Sequence, residues 1–110
     1  MPMPVAVTSF GAARLGDAVY TLGGYFGEPH HYVPEHQSRA LSRLSLAGGA
    51  TWETLLEDED GLQGVALVSD GSALYRIGGN RVVRADGAGE TGGGMISLRD
   101  AARWTPGAAA

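Results

Sequence analysis

The stretch Gly16-Asp17-Ala18-Val19-Tyr20-Thr21-Leu22-Gly23-Gly24 returns 55 positions later as Gly71-Ser72-Ala73-Leu74-Tyr75-Arg76-Ile77-Gly78-Gly79. Both copies follow the scheme Gly-x-Ala-apolar-Tyr-x-apolar-Gly-Gly. An internal repeat takes precedence over any local reading, because each copy must then form the same supersecondary unit. A second apolar stretch precedes each copy, Phe10 to Leu15 in one and Val65 to Val68 in the other, with a polar turn before the glycine. The pattern reads as strand, tight turn, strand.

Downstream, Arg43-Leu44-Ser45-Leu46 lines up with Arg103-Trp104-Thr105-Pro106, and in the first copy Trp52-Glu53-Thr54-Leu55 follows as a further short strand. The first unit is expected to hold four strands, near 10–14, 17–23, 40–46 and 51–56. A second set begins near Gln63 and continues through 73–78 and 96–104. Leu41, Arg43 and Ser45 alternate with Ala40, Leu44 and Leu46, a period of two that suits half-buried strands, so little helix is expected.

A four-strand unit of about 50 residues, with Gly-Gly closing its second strand and Trp opening its fourth, resembles the kelch repeat of β-propellers. The matching positions are Tyr20, Gly23, Gly24 and Trp52 in the first copy and Tyr75, Gly78, Gly79 and Trp104 in the second. The resemblance implies an all-β, kelch-type β-propeller fragment, with a first blade and N-terminal connector over 1–61 and a second blade over 62–110. Two departures stand out. Leu44 fills the aromatic position ahead of Trp52, and if Trp104 fills that position in the second copy, the next Trp falls beyond Ala110. The second blade is therefore expected to have three strands and to lack its last. Met1-Pro2-Met3-Pro4 resembles the Pro-rich connection that leads from one kelch blade to the next.

The twin glycines suit strand ends that need positive φ or close backbone approach, and match neither a dinucleotide-binding GxGxxG nor a phosphate-binding loop. Tyr20, Tyr75 and Trp52 are expected to supply large buried surface between blades.

All three histidines lie in Glu28-Pro29-His30-His31-Tyr32-Val33-Pro34-Glu35-His36, between the second and third strands. Loops on rigid scaffolds carry function. His30, His31, Tyr32, His36 and Arg39 are the candidate ligand- or partner-binding residues. Imidazoles with Glu28 or Glu35 also match a metal's non-thiol donors, but no register fixes their spacing, and no metal or other cofactor is assigned. The bland alternative is a polar loop held by Pro29 and Pro34. Glu57-Asp58-Glu59-Asp60 lacks the alternating ligands of a calcium loop and reads as a solvated connector. The Gly-rich stretch from Asn80 to Gly94 is expected to be a mobile loop; its Arg81 and Arg84 suit an anionic ligand or a short solvent-exposed strand equally well. Ser42 and Ser45 fall inside a strand, and no strained Gly-x-Ser-x-Gly turn presents a nucleophile.

Composition bounds the rest. The chain has 110 residues, 44% of them hydrophobic, a formal charge of −4, eight basic residues that are all Arg, and no Cys. A net negative chain without a basic patch argues against nucleic acid, and the absence of a long apolar run or a basic N-terminal leader against a membrane span or signal peptide. A soluble protein is expected, its compartment left open. Without Cys there is neither a disulfide nor a thiolate metal site.

The resemblance implies a non-catalytic binding scaffold whose loops on one face engage a protein or small ligand. A second expectation is a fragment of a kelch-propeller enzyme of the sialic-acid epimerase (mutarotase) type; the galactose oxidase type needs a Cys that this chain lacks. Further blades of the same chain, or self-association, would complete the propeller, because two blades alone leave strand edges and apolar faces uncovered.

Overall fold

A computed structural model describes residues 2–27, 34–47, 51–57, 61–83 and 94–106. Alternating apolar residues and recurrent Gly turns produce nine short strands among them: β1 (Gly11–Leu15), β2 (Ala18–Leu22), β3 (Ala40–Ser45), β4 (Trp52–Glu57), β5 (Ala66–Ser69), β6 (Leu74–Ile77), β7 (Asn80–Val83), β8 (Gly94–Ser97) and β9 (Ala101–Trp104). The described helical content is one 3-10 turn, Pro34–His36. The fold is all-β and every strand pair is antiparallel. One sheet runs β1-β2-β3-β4, a second β5-β6-β9, and β7-β8 form a separate two-stranded sheet.

The repeat seen in the sequence is also a repeat in hydrogen bonding. Tyr20 lies opposite Arg43 and Val19 opposite Leu44, just as Tyr75 lies opposite Arg103 and Leu74 opposite Trp104. The Gly23 N–H donates to the Ala40 carbonyl at 3.2 Å and the Gly78 N–H to that of Asp100 at 3.0 Å. Tyr25 and Thr8 exchange two backbone bonds, as do Asn80 and Gln63. Gly24 (φ 110°) and Gly79 (φ 95°) adopt backbone that other residues resist. A Cβ at Gly24 would stand 2.9 Å from the Thr8 carbonyl oxygen, and one at Gly79 3.0 Å from that of Gln63. Twin glycines are thus required where β2 and β6 end against their neighbouring backbone.

The two sheets pack face to face around one apolar layer. Leu15, Tyr20, Leu22 and Leu41 of the first meet Leu62, Val65, Leu67 and Leu74 of the second unit. Tyr20, 2% exposed, packs edge-to-face with Trp104, the ring centroids 5.7 Å apart. Gly11 lets β1 cross close to the second unit, because a Cβ there would stand 2.9 Å from the Val65 carbonyl oxygen.

Four expectations are corrected. The span 96–104 is two strands, β8 and β9, because Leu98 leaves β8 to bond Gly79 before β9 joins β6. The expected mobile loop from Asn80 to Gly94 begins and ends in paired strand, and Val82 of the expected solvent-exposed strand is buried; 84–93, with Arg84, lie outside the described residues. The second set of strands starts at Ala66, Gln63 forming only an isolated bridge to Asn80. Tyr75 and Trp52 are only partly buried, and among the described residues neither has a ring partner like Trp104 on Tyr20.

Candidate functional site

Beyond the twin glycines the chain runs Tyr25-Phe26 outward and returns through the turn Pro34–His36 to Gln37. Proline fixes the first residue of that turn. The Phe26 N–H donates to the His36 carbonyl at 2.9 Å, and the His36 ring packs on Phe26 (5.6 Å between centroids) and Tyr25 (6.3 Å). In the second unit the same excursion is the β7-β8 hairpin, starting at Asn80 and ending at Ser97.

Gln37 ties these two excursions together. Its side chain is 4% exposed; Oε1 accepts the Val82 N–H at 2.6 Å, and Nε2 donates to the Val82 carbonyl at 3.1 Å and the Pro34 carbonyl at 3.4 Å. One amide thereby satisfies both backbone groups of a buried strand residue, which otherwise carry a desolvation penalty. Arg81 adds a second link, Nε donating to the Gly61 carbonyl at 2.8 Å. The connections of both units are thus fixed at one end of the molecule.

Beside this junction a groove of about 350 Å³ runs between the segment Met3–Val7 and the first sheet. Its floor carries Thr21, Ser42 and Thr54, adjacent across β2, β3 and β4. Phe26, Glu35, Arg39 and Glu57 stand along it. Thr21 and Ser42 are buried polar residues on the face turned away from Tyr20. Arg39 pairs with Glu57 at 3.2 Å, both side chains about half exposed, so the pair adds little stability yet leaves each charge within reach of a ligand. Hydroxyls below and paired opposite charges above suit a small polar ligand or a peptide backbone.

Of the residues singled out in the sequence, Arg39 lines this groove, whereas His36 belongs to the aromatic cluster at its end. His30, His31 and Tyr32 lie outside the described residues, as do Glu28 and Pro29. Among the described residues no three His, Asp or Glu gather as metal donors. Glu57 ends β4, and the rest of the acidic connector is outside the described residues. No helix of the described residues is long and apolar enough to cross a membrane.

Sequence reading missed Gln37, whose partner lies 45 residues away with no local signal. It also missed the hydroxyl floor, although Thr21 between two apolar strand positions was the available clue. No family model and no curated protein matches the sequence. Among solved structures 54 chains match. One is the structure of YjhT, which superposes with a TM-score of 0.72 at 18% identity over 94% of this chain and 31% of YjhT. At that identity the likeness is one of fold, and this chain spans about a third of YjhT's length.

Proposed function

We propose that the chain forms two kelch-type β-propeller blades, the first of four strands and the second of three, and serves as a non-catalytic scaffold that binds a protein or small ligand at the twin-glycine end. The observation that carries this reading is the fixed junction of the two units, where Gln37 holds Val82 and the connections after both twin glycines emerge side by side. Rigid support beneath exposed connections is what a binding surface needs. The groove beside it, with Arg39 and the hydroxyls of Thr21 and Ser42, supplies polar contacts for orientation.

The propeller reading also accounts for the outer face of the second sheet. Val68 and Ile77, 44% and 50% exposed, flank Tyr75 there. On the first sheet the corresponding face is the one buried under Leu74 and Trp104. Further blades of the same chain, or association with another copy, would cover it. In a longer parent protein, Tyr75 is expected to lie beneath an aromatic or Leu of the next blade, as Tyr20 lies beneath Trp104.

Amide NMR of the intact chain during a fragment and peptide screen tests the binding role. Ligands are expected to perturb Phe26, Arg39 and Val82, and Arg39→Ala to weaken them. Ligands confined to other faces would sink the assignment. Measurable sialic-acid mutarotation that disappears in Arg39→Ala or His36→Ala would replace the scaffold with an enzyme.

A further inference from the structure

A second cavity lies between the two units, on the face of the first sheet opposite the groove. Leu22, Leu41 and Leu56 stand in one row across β2, β3 and β4 and form one wall. The row on the other wall, across β5, β6 and β9, is Leu67, Arg76 and Ala102. The Ala102 side chain ends at Cβ, and a space of about 160 Å³ stays open between the rows. An apolar cavity of about that size holds a single six-membered ring.

The polar side chains that line this space carry donors and no acceptor. Arg76 takes the place that Thr21 holds in the first unit, and Ala102 that of Ser42. The Arg76 side chain is 18% exposed, and its Nη2 donates to Asp100 at 3.1 Å. Among the described residues Asp100 is the one acceptor of this guanidinium, so N–H groups remain for another. Trp104, opposite Leu74, lines the same space, and its Nε1–H is buried with no acceptor among the described residues. A buried donor without a partner costs stability. Packing alone is served as well by an aliphatic residue as by a partly buried ion pair.

We infer that this cavity between the sheets is a binding site for a small uncharged molecule, a single ring or short branched chain bearing one carbonyl oxygen. The leucines enclose its apolar body, and the oxygen accepts from the donors of Trp104 and Arg76. The ligand class follows from what the walls offer. Donors without acceptors call for an acceptor, and because Asp100 already neutralises Arg76, a charged carboxylate would be set against the Asp100 carboxylate. Burial against the leucines supplies affinity, and the oxygen fixes orientation. The site shares no lining residue with the groove and stands or falls apart from the function proposed there.

The test titrates cyclohexanone into the full chain and follows amide, indole and methyl NMR signals. Saturable shifts are expected at the Leu22, Leu41 and Leu67 methyls and at the Trp104 indole N–H, while the Trp52 indole, outside the cavity, stays unmoved. Ala102→Leu should abolish binding by filling the space, with circular dichroism confirming retained strand content. Trp104→Phe and Arg76→Met, which keep the leucine walls, should each weaken cyclohexanone about fivefold and leave cyclohexane, which has no acceptor, unchanged. These two variants carry the test if Ala102→Leu does not fold. Equal weakening of both probes, or of neither, would overturn the assignment, because the donors would then read no oxygen. So would tighter binding of cyclohexanecarboxylate than of cyclohexanone, shifts confined to Thr21, Ser42 and Arg39, undiminished binding to Ala102→Leu, or no saturation at millimolar cyclohexanone.

Discussion

Tyr20 and Tyr75 stand in the same place in two matching units, each opposite an arginine of the third strand, yet their surroundings differ. Tyr20 is almost fully buried against Trp104 of the neighbouring sheet. Tyr75 is half-buried and donates its hydroxyl to Asp70 at 2.8 Å. The position before the hairpin turn differs in the same sense: Leu15 is buried in the first unit, while the second has the exposed Asp70, which accepts the N–H groups of Ser72 and Ala73 at 2.8 Å each. The backbone of each unit is therefore set locally by turn and glycine chemistry, whereas side-chain burial is set by the neighbour, as in stacked repeats generally.

Truncating the two tyrosines offers the sharpest way to break this comparison. Tyr20→Ala is expected to lower unfolding free energy by about 3–5 kcal/mol, and Tyr75→Ala by about 1 kcal/mol. Equal losses in urea denaturation would mean that Tyr75 has a partner of its own. The twin glycines should behave in the opposite way, since their backbone demands match. Gly24→Ala and Gly79→Ala are each expected to cost about 2 kcal/mol, and a large difference between them would show that the repeat in backbone geometry is superficial.

Gln37→Leu sharpens the comparison at the junction. It strips both backbone groups of Val82 of their partner and should cost about 1–3 kcal/mol, with faster amide exchange at Val82 than elsewhere in either sheet. Unchanged exchange there would remove Gln37 from its tying role. The smallest effect belongs to Asp70. Its carboxyl is held below the usual aspartate range by the Ser72 N–H first, then by the Ala73 N–H and the Tyr75 hydroxyl. A folded value below the unfolded one contributes stability that is complete above about pH 4 and fades as pH falls through the lowered value. Asp70→Asn should therefore lower the melting temperature slightly at neutral pH and leave it unchanged in strong acid. The first unit, with Leu15 in that place, should show no such dependence.

Much of this architecture was legible in the residues. The strands through Tyr20 and Tyr75, the third strands through Leu44 and Trp104, and the fourth strand at Trp52 all fall close to where period-two alternation and repeated glycine put them. These features act over a few residues, so a linear reading captures them. The β7-β8 hairpin was legible only in part: a short strand through Arg81-Val82-Val83 was one of two readings, but it was expected to be exposed, and the adjoining Gly-rich composition resembles a loop. What satisfies the outward backbone groups of Val82 is Gln37, far away in the chain. The candidate site was legible only in part: Arg39 lines the groove, His36 serves the aromatic cluster, and the floor of Thr21, Ser42 and Thr54 becomes a surface only when three strands align. Polar residues at strand positions carry no mark of which neighbours they will meet.

The two units differ in one further respect. Tyr20 and Tyr75 are 55 positions apart, but Arg43 and Arg103 are 60 apart, and the register of the third strand on the second is the same in both. Five additional residues have thus been absorbed between the twin glycines and the third strand without moving either sheet. That stretch behaves as an insertion port. New sequence grafted between Phe26 and Glu35, or between Val83 and Gly94, should be carried by the scaffold at little cost, so the chain can acquire different recognition loops while its packing stays as it is.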